Sequence, residues 1–178
     1  MIYEKQVDGS LIALSKDGGY YLCNSNFDKI YPVSFQELKH KFSKFYIGKR
    51  NDKWGLIDCL GNTYTRFIYN NIIWFEGNLF LCNNAKGWVF INSKIRNAIG
   101  ETFKTLISLK NGIATFHNQN EYVFINGYLD IINRVKYLNN DVGFNNAGFA
   151  AVQLEDGRKG LIKMNGEWFV EPTILQTN

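Results

Sequence analysis

The sequence has few of the residues on which catalytic and metal sites are usually built, and it has no long apolar run. Of its 178 residues only two are histidine, three are cysteine and two are proline. Polar residues interrupt every apolar stretch within about ten residues, well short of the ~20 that a membrane-spanning helix needs. The amino terminus has neither the basic start nor the apolar core of a secretory signal. We therefore expect a cytoplasmic protein without a membrane segment.

The few cysteines and histidines form no recognisable motif. Cys23, Cys59 and Cys82 are odd in number, and their spacings match no zinc or CxxC pattern, so they are expected to be buried thiols. His40 and His117 fall at unrelated places in the chain. No G-x-S-x-G, H-E-x-x-H, P-loop or dinucleotide fingerprint occurs. The sequence therefore predicts no catalytic residue, metal or cofactor, and a small-molecule substrate is not expected.

A repeat of 34 residues organises the chain. Short apolar runs begin at points spaced by 34, 34, 34 and 36 residues, namely Leu11, Phe45, Leu79, Ile113 and Phe149. A second apolar run follows each of them, and a segment rich in Asn, Asp and Gly separates the two runs. Because these residues tolerate the positive φ values of tight turns, each pair of runs predicts a β-hairpin.

The repeat predicts one all-β domain over residues 1–178, made of five units of short antiparallel strands. The units lie at approximately 9–42, 43–76, 77–110, 111–146 and 147–178, after an N-terminal strand within residues 1–8. Further strands are expected at Lys29–Val33, Thr63–Tyr69, Asn71–Phe75, Lys104–Leu109, Ile131–Leu138 and Glu167–Pro172. The spacing of Phe35, Leu38 and Phe42 also allows one or two helical turns.

The segment Asn51–Asn62 resembles the signature of bacterial WG repeats, also called KWG repeats, which runs roughly Lys-Trp-Gly-aromatic/Leu-Ile-Asp-x-x-Gly. Phe144–Val152 matches the closing piece of that repeat, in which Gly-Leu-Ala-x-Val follows a Phe. Gly160–Gly166 carries the later half of the signature, with Lys159 where Trp would stand. Only the second unit has the whole signature. The resemblance implies a protein that interacts with a partner and catalyses no reaction.

The signature residues also have structural roles that follow from their chemistry. Large aromatics of this kind each bury roughly 150–250 Å² of surface, and here they are expected to pack against the neighbouring unit: Trp54, Trp88 and Tyr122. Gly55 would permit a close approach within its strand. Asp58 and Asn92 would close the following turns on backbone N–H groups.

A hairpin of this length is unstable alone, so the units must bury their apolar faces against one another. Two arrangements can do this, a five-bladed propeller-like ring and an open stack. A strand at Ile2–Gln6 could complete the last unit at Glu167–Leu175, which would close the ring and leave no long apolar edge. We expect the ring, with the open stack as the alternative.

The net charge of the chain is +4, and residues 29–53 form a basic segment with seven Lys or Arg residues against two Asp or Glu residues. Its candidate partner-binding or nucleic-acid-binding residues are Lys39, Lys41, Lys44, Lys49, Arg50 and Lys53. The aromatic residues among them are Tyr31, Phe35, Phe42, Phe45 and Tyr46. Cations and rings together suit a groove for single-stranded nucleic acid. The same rings also fall at strand positions expected in the core, which would leave the lysines as ordinary solvated charge.

The sequence therefore favours a non-enzymatic interaction scaffold that binds another protein, or a larger assembly, through the loops between repeats. A nucleic-acid-binding accessory subunit that uses residues 29–53 is the first alternative. A carbohydrate-binding module is the second, because the abundant asparagines could hydrogen-bond sugars on which aromatic rings stack.

Overall fold

The computed structural model describes residues 2–5, 11–14, 18–42, 44–94, 98–118, 121–136 and 144–173. Throughout these ranges the chain forms strands, turns and irregular segments, and no helix. The all-β prediction is confirmed. It follows that no described helix is long and apolar enough to cross a membrane.

The described residues form seventeen strands in five separate sheets, and neighbours in a sheet follow one another along the chain. The first sheet contains β1 (Ile2–Lys5), β2 (Leu11–Leu14) and β3 (Tyr20–Cys23). The second contains β4 (Glu37–Phe42), β5 (Phe45–Arg50) and β6 (Lys53–Asp58). The third contains β7 (Asn71–Glu76), β8 (Leu79–Asn84), β9 (Gly87–Asn92) and β10 (Ala98–Phe103). The fourth contains β11 (Thr105–Lys110), β12 (Ile113–Asn118), β13 (Glu121–Asn126) and β14 (Ile131–Lys136). The fifth contains β15 (Phe149–Gln153), β16 (Lys159–Lys163) and β17 (Trp168–Thr173).

The five predicted hairpins are all present. The residues taken as equivalent from the spacing each begin the first strand of a hairpin: Leu11, Phe45, Leu79, Ile113 and Phe149. Turn chemistry explains the hairpin of β5 and β6, because Asn51 and Asp52 between these strands take φ values of 48° and 59°. Two consecutive residues at positive φ match the right-handed twist of the flanking strands. Short consecutive meanders of this kind are the pattern of blades in a β-propeller.

Two of the predicted strands are irregular. Residues 29–35 meet β3 only at isolated bridges, and residues 63–69 meet β6 in the same way. Pro32 cannot donate a ladder hydrogen bond. In the second segment the Thr65 hydroxyl accepts the Leu56 N–H at 2.9 Å, so a side chain takes the place of a ladder carbonyl. Each of these segments follows its hairpin and lies beside the second strand of that hairpin, as β10, β14 and β17 do in the later sheets.

Three further features of the strands bear on the expectations from the sequence. The segment whose spacing also allowed helical turns contains strand β4, because its backbone pairs with β5. Among the described residues, the N-terminal strand β1 pairs with β2 in the first sheet and the last sheet consists of β15, β16 and β17, so β1 does not complete the fifth unit. In the first four sheets, the strand before the hairpin joins the sheet of that hairpin, so β4 of the proposed unit 9–42 shares a sheet with β5 of the proposed unit 43–76. The arrangement of the five sheets as a ring, with an open stack as the alternative, stays a prediction.

The chain divides into two compact units, one of residues 1–85 and 89–99 and the other of residues 86–88 and 100–178. In the first, Trp54 and Leu56 of the second sheet pack with Ile72 and Phe80 of the third. In the second, Tyr122 of the fourth sheet packs with residues of the fifth. Both aromatics therefore bury area against a neighbouring sheet, as predicted.

The predicted role of Gly55 is also confirmed. A Cβ on Gly55 would lie 2.9 Å from the Phe67 ring, which packs directly on the strand. Gly160 stands at the corresponding place in the fifth sheet, where a Cβ would lie 2.8 Å from the carbonyl oxygen of Val170. Glycine at these two positions lets the next segment of chain pack closely on the hairpin.

Candidate interaction surface

The predicted basic residues lie on the second sheet but do not form one surface. Lys49 pairs directly with Trp54 across β5 and β6. The Nζ of Lys39 lies 4.3 Å and that of Lys49 lies 5.8 Å from the centroid of the Trp54 ring. Lys49 also donates to Glu37 Oε1 at 2.8 Å, and this hydrogen bond raises the pKa of Lys49. Lys39 and Lys49 are thus engaged with groups of their own sheet.

Arg50 follows Lys49 and its side chain points to the opposite face of the sheet, as alternation along a strand requires. Its Cζ lies 5.9 Å from the centroid of the Tyr31 ring and 5.4 Å from that of Phe67. Its Nη1 donates to the Tyr31 hydroxyl at 3.3 Å. Two aromatic rings therefore hold the guanidinium in place.

The remaining candidates are dispersed. Lys53 donates to Asn70 Oδ1 at 2.6 Å. Lys44 is exposed beside the start of β5, at the other end of the strand from Arg50. Lys41 lies on β4, but its side chain lies outside the part of the chain that the structure describes.

The aromatic residues of the basic segment are in the core. Tyr31, Phe35, Phe45 and Tyr46 are at most 7% exposed, and the side chain of Phe42 is not among those described. A single-stranded nucleic acid needs exposed rings on which its bases can stack. The geometry therefore gives no support to base stacking by this segment.

In the part of the chain that the structure describes, six turns share one hydrogen-bonded geometry. In each, the N–H of the first residue bonds to the carbonyl of the fifth, and the N–H of the fourth bonds to the carbonyl of the first. The turns are Asn24–Asp28, Asp58–Asn62, Asn126–Asp130, Asn145–Phe149, Leu154–Arg158 and Lys163–Glu167. The fourth residue always has positive φ, from 66° at Phe27 to 85° at Gly61.

Side chains reinforce these turns. Asp58 Oδ1 accepts the N–H groups of Leu60 and Asn62, and Asn126 Oδ1 accepts those of Tyr128 and Asp130. Asn92 Oδ1 likewise accepts the N–H of Lys94. The predicted closure of turns by Asp58 and Asn92 is thus confirmed. Each turn presents its third residue from a backbone that is already ordered.

Leu60 and Tyr128 occupy that third position and are 74% and 89% exposed. The same position holds Asn26, Ala147, Asp156 or Asn165 in the other turns. Neither Leu60 nor Tyr128 was predicted from the sequence as a binding residue. The signal that could have found them is a large apolar residue two places after an Asp or Asn that ends a hairpin, where a small or polar residue is usual.

Within the described ranges no group of three or more His, Cys, Asp or Glu residues could hold a metal ion.

The three cysteines differ in burial: Cys23 and Cys82 are buried and Cys59 is half-buried. Burial raises the pKa of both Cys23 and Cys82.

We expect the thiols to differ in reactivity because the thiolate is the reactive form and must be accessible. At pH 8, Cys59 of the folded protein should react with Ellman's reagent at least tenfold faster than Cys23 and Cys82. The absorbance change should show one fast thiol, and Cys59→Ser should remove that phase. Three equally fast thiols in the folded protein would contradict the placement of Cys23 and Cys82.

No protein-family model and no curated protein matches the sequence. Among solved structures, a eukaryotic initiation factor is similar with a TM-score of 0.51 and 11% identity, over 95% of this chain and 53% of that chain. KlHsv2 with loop 6CD replaced by a Gly-Ser linker has a TM-score of 0.49 and 13% identity, over 93% and 63%. The β-propeller domain of Myceliophteria thermophila Cps50 (Swd1) has a TM-score of 0.37 and 10% identity, over 99% and 74%.

The chain thus spans 53% and 63% of the lengths of the first two proteins. At such low identity the likeness to the initiation factor concerns the fold alone. The other two similarities are too weak to carry an argument. Any function must therefore be argued from the residues of this chain.

Proposed function

We propose that the chain is a non-enzymatic, cytoplasmic WG-repeat protein that binds another protein through the turns that follow its hairpins. The observation that carries the proposal is the exposure of Leu60 and Tyr128 at the same position of the same hydrogen-bonded turn. The WG assignment is supported by the five hairpins and by the close packing at Gly55 and Gly160.

An ordered turn suits protein binding because its backbone loses little further freedom when a partner binds. Tyrosine suits the contact itself, since it brings a large apolar surface with few rotatable bonds and is enriched at interfaces. A single exposed apolar residue is common on any surface. Two at equivalent positions of two stabilised turns are less easily attributed to chance.

Affinity capture from an extract of the native host, with the tagged full-length protein, tests this proposal. We expect at least one protein to be retained at 0.5 M NaCl, and its recovery should fall at least fivefold with Leu60→Ser or Tyr128→Ser. Ile68→Ser is the matched control, because Ile68 is an apolar residue of 53% exposure that lies outside the six turns. Its substitution should leave recovery unchanged.

Two results would count against the proposal. One is capture that Ile68→Ser weakens as much as the turn variants do, since binding would then not depend on the turns. The other is capture of nucleic acid alone, falling steeply with salt and with neutralisation of Lys49, Arg50 and Lys53. That second result would favour the nucleic-acid alternative.

A further inference from the structure

Arg50 borders a polar cleft of about 460 Å³ in the first compact unit. Gly18, Gly19, Ser34 and Asn51 also line this cleft. A Cβ on Gly19 would lie 2.8 Å from the Cβ of Ser34, so the glycine leaves the space in which the Ser34 side chain sits. The residues that line the cleft thus include an arginine, a serine and an asparagine, whose side chains can all donate hydrogen bonds.

The guanidinium has no carboxylate partner among the residues that the structure describes. Two other arginines do have such partners: Arg134 pairs with Glu101 and Glu121, and Arg158 pairs with Asp156. A guanidinium keeps its charge at any physiological pH and offers five N–H donors. The hydrogen bond from Arg50 to the Tyr31 hydroxyl uses one of these donors. The half-buried Arg50 thus retains donors for a planar acceptor.

Asp52 lies two residues after Arg50, and other groups hold it. Gln36 Oε1 accepts the N–H of Asp52 at 2.8 Å, and Gln36 Nε2 donates to Asp52 Oδ1 at 3.3 Å. Asp52 Oδ1 also lies 4.0 Å from Lys49 Nζ. The carboxylate of Asp52 therefore faces Gln36 and Lys49.

We propose that the cleft binds the carboxylate of an acidic side chain of a partner protein. Arg50 donates two parallel hydrogen bonds to the carboxylate, and Ser34 and Asn51 supply further donors at the rim. A carboxylate fits better than a phosphate, because the one guanidinium balances the single negative charge of a carboxylate and would leave part of the charge of a phosphate dianion uncompensated. This inference rests on the proposed function in that the partner is a protein, but it concerns a different surface from the turns.

The test titrates the ¹⁵N-labelled full-length protein with a capped Gly-Glu-Asp-Glu-Gly peptide, with its Gly-Gln-Asn-Gln-Gly counterpart, and with inorganic phosphate. We expect the acidic peptide to shift the amide signals of Ser34, Arg50 and Asn51, and the neutral peptide not to. Arg50→Lys keeps the charge but loses the planar fork, and should weaken binding at least fivefold. Ser34→Ala should weaken it about twofold, which provides a second variant if Arg50→Lys does not fold.

Lys44→Gln is the matched control for charge. Lys44 directly precedes β5 and Arg50 ends it. The six steps between them correspond to about 20 Å at the usual rise per residue. The control removes one positive charge far from the cleft and should change the affinity less than twofold. An equal loss with Lys44→Gln and with Arg50→Lys would overturn the proposal in favour of unspecific attraction. Tighter binding of phosphate than of the acidic peptide would also overturn it.

Two more variants make the result unambiguous. Asp17 precedes Gly18 in the sequence and lies outside the described residues. If Asp17→Asn raised the affinity for the acidic peptide more than fivefold, a carboxylate of the chain itself would fill the cleft and the proposal would fail. Leu60→Ser should leave peptide binding unchanged. Loss of carboxylate binding at the cleft and loss of partner binding at the turns can therefore be told apart.

Discussion

Replacing Gly61 by alanine is expected to lower the free energy of unfolding by about 3 kcal/mol or more. Gly61 has φ of 85°, a conformation that costs an L-residue roughly 1–2 kcal/mol. A Cβ there would also lie 2.3 Å from the carbonyl oxygen of Ile30 and 2.7 Å from its Cγ2. Backbone cannot yield as a side chain can, and overpacking of this kind typically costs a further ~1–3 kcal/mol.

Gly157→Ala and Gly77→Ala separate these two causes. Gly157 occupies the same position of the same turn with φ of 84°, and a Cβ there would meet nothing within 4 Å. Gly77 has φ of 50° and open space, and lies in the same compact unit as Gly61. Each control should lose only about 1–2 kcal/mol in urea unfolding. Equal losses in all three variants would show that packing on Ile30 contributes nothing.

The hairpins could be predicted from the sequence because each depends on residues close together in the chain. Period, strand residues and turn residues all agree at β5 and β6, where Asn51 and Asp52 supply the turn. The partner of β1 could not be predicted in this way. Pairing with β2 requires closure of a short loop, whereas pairing with the last sheet would close nearly the whole chain at a greater entropic cost. The shorter closure is the one observed.

The basic segment shows a second limit. Proximity in sequence groups Lys49 with Arg50, but strand alternation sends their side chains to opposite faces of the second sheet. One contacts Trp54 and Glu37 and the other contacts Tyr31 and Phe67. Which face each side chain takes depends on the register of β4, β5 and β6, and that register is set by apolar packing with other sheets.

Replacing Phe80 by alanine is expected to cost about 3–5 kcal/mol of unfolding free energy, the usual range for a fully buried phenylalanine. Phe80 is completely buried between the second and third sheets. Its ring centroid lies 6.0 Å from that of Phe45, edge to face. The substitution removes this contact and leaves a cavity that the two sheets can close only in part. Urea unfolding followed by tryptophan fluorescence measures the loss, since Trp54 lies in the same cluster.

Leu60→Ala is the comparison that connects this prediction to function. Leu60 is 74% exposed, so its truncation should change stability by no more than about 0.5 kcal/mol. A large loss of partner capture with so small a loss of stability would assign the side chain to binding. If Leu60→Ala instead destabilised the protein as much as Phe80→Ala, Leu60 would be part of a core. The proposed function would then lose Leu60, one of the two exposed turn residues on which it depends.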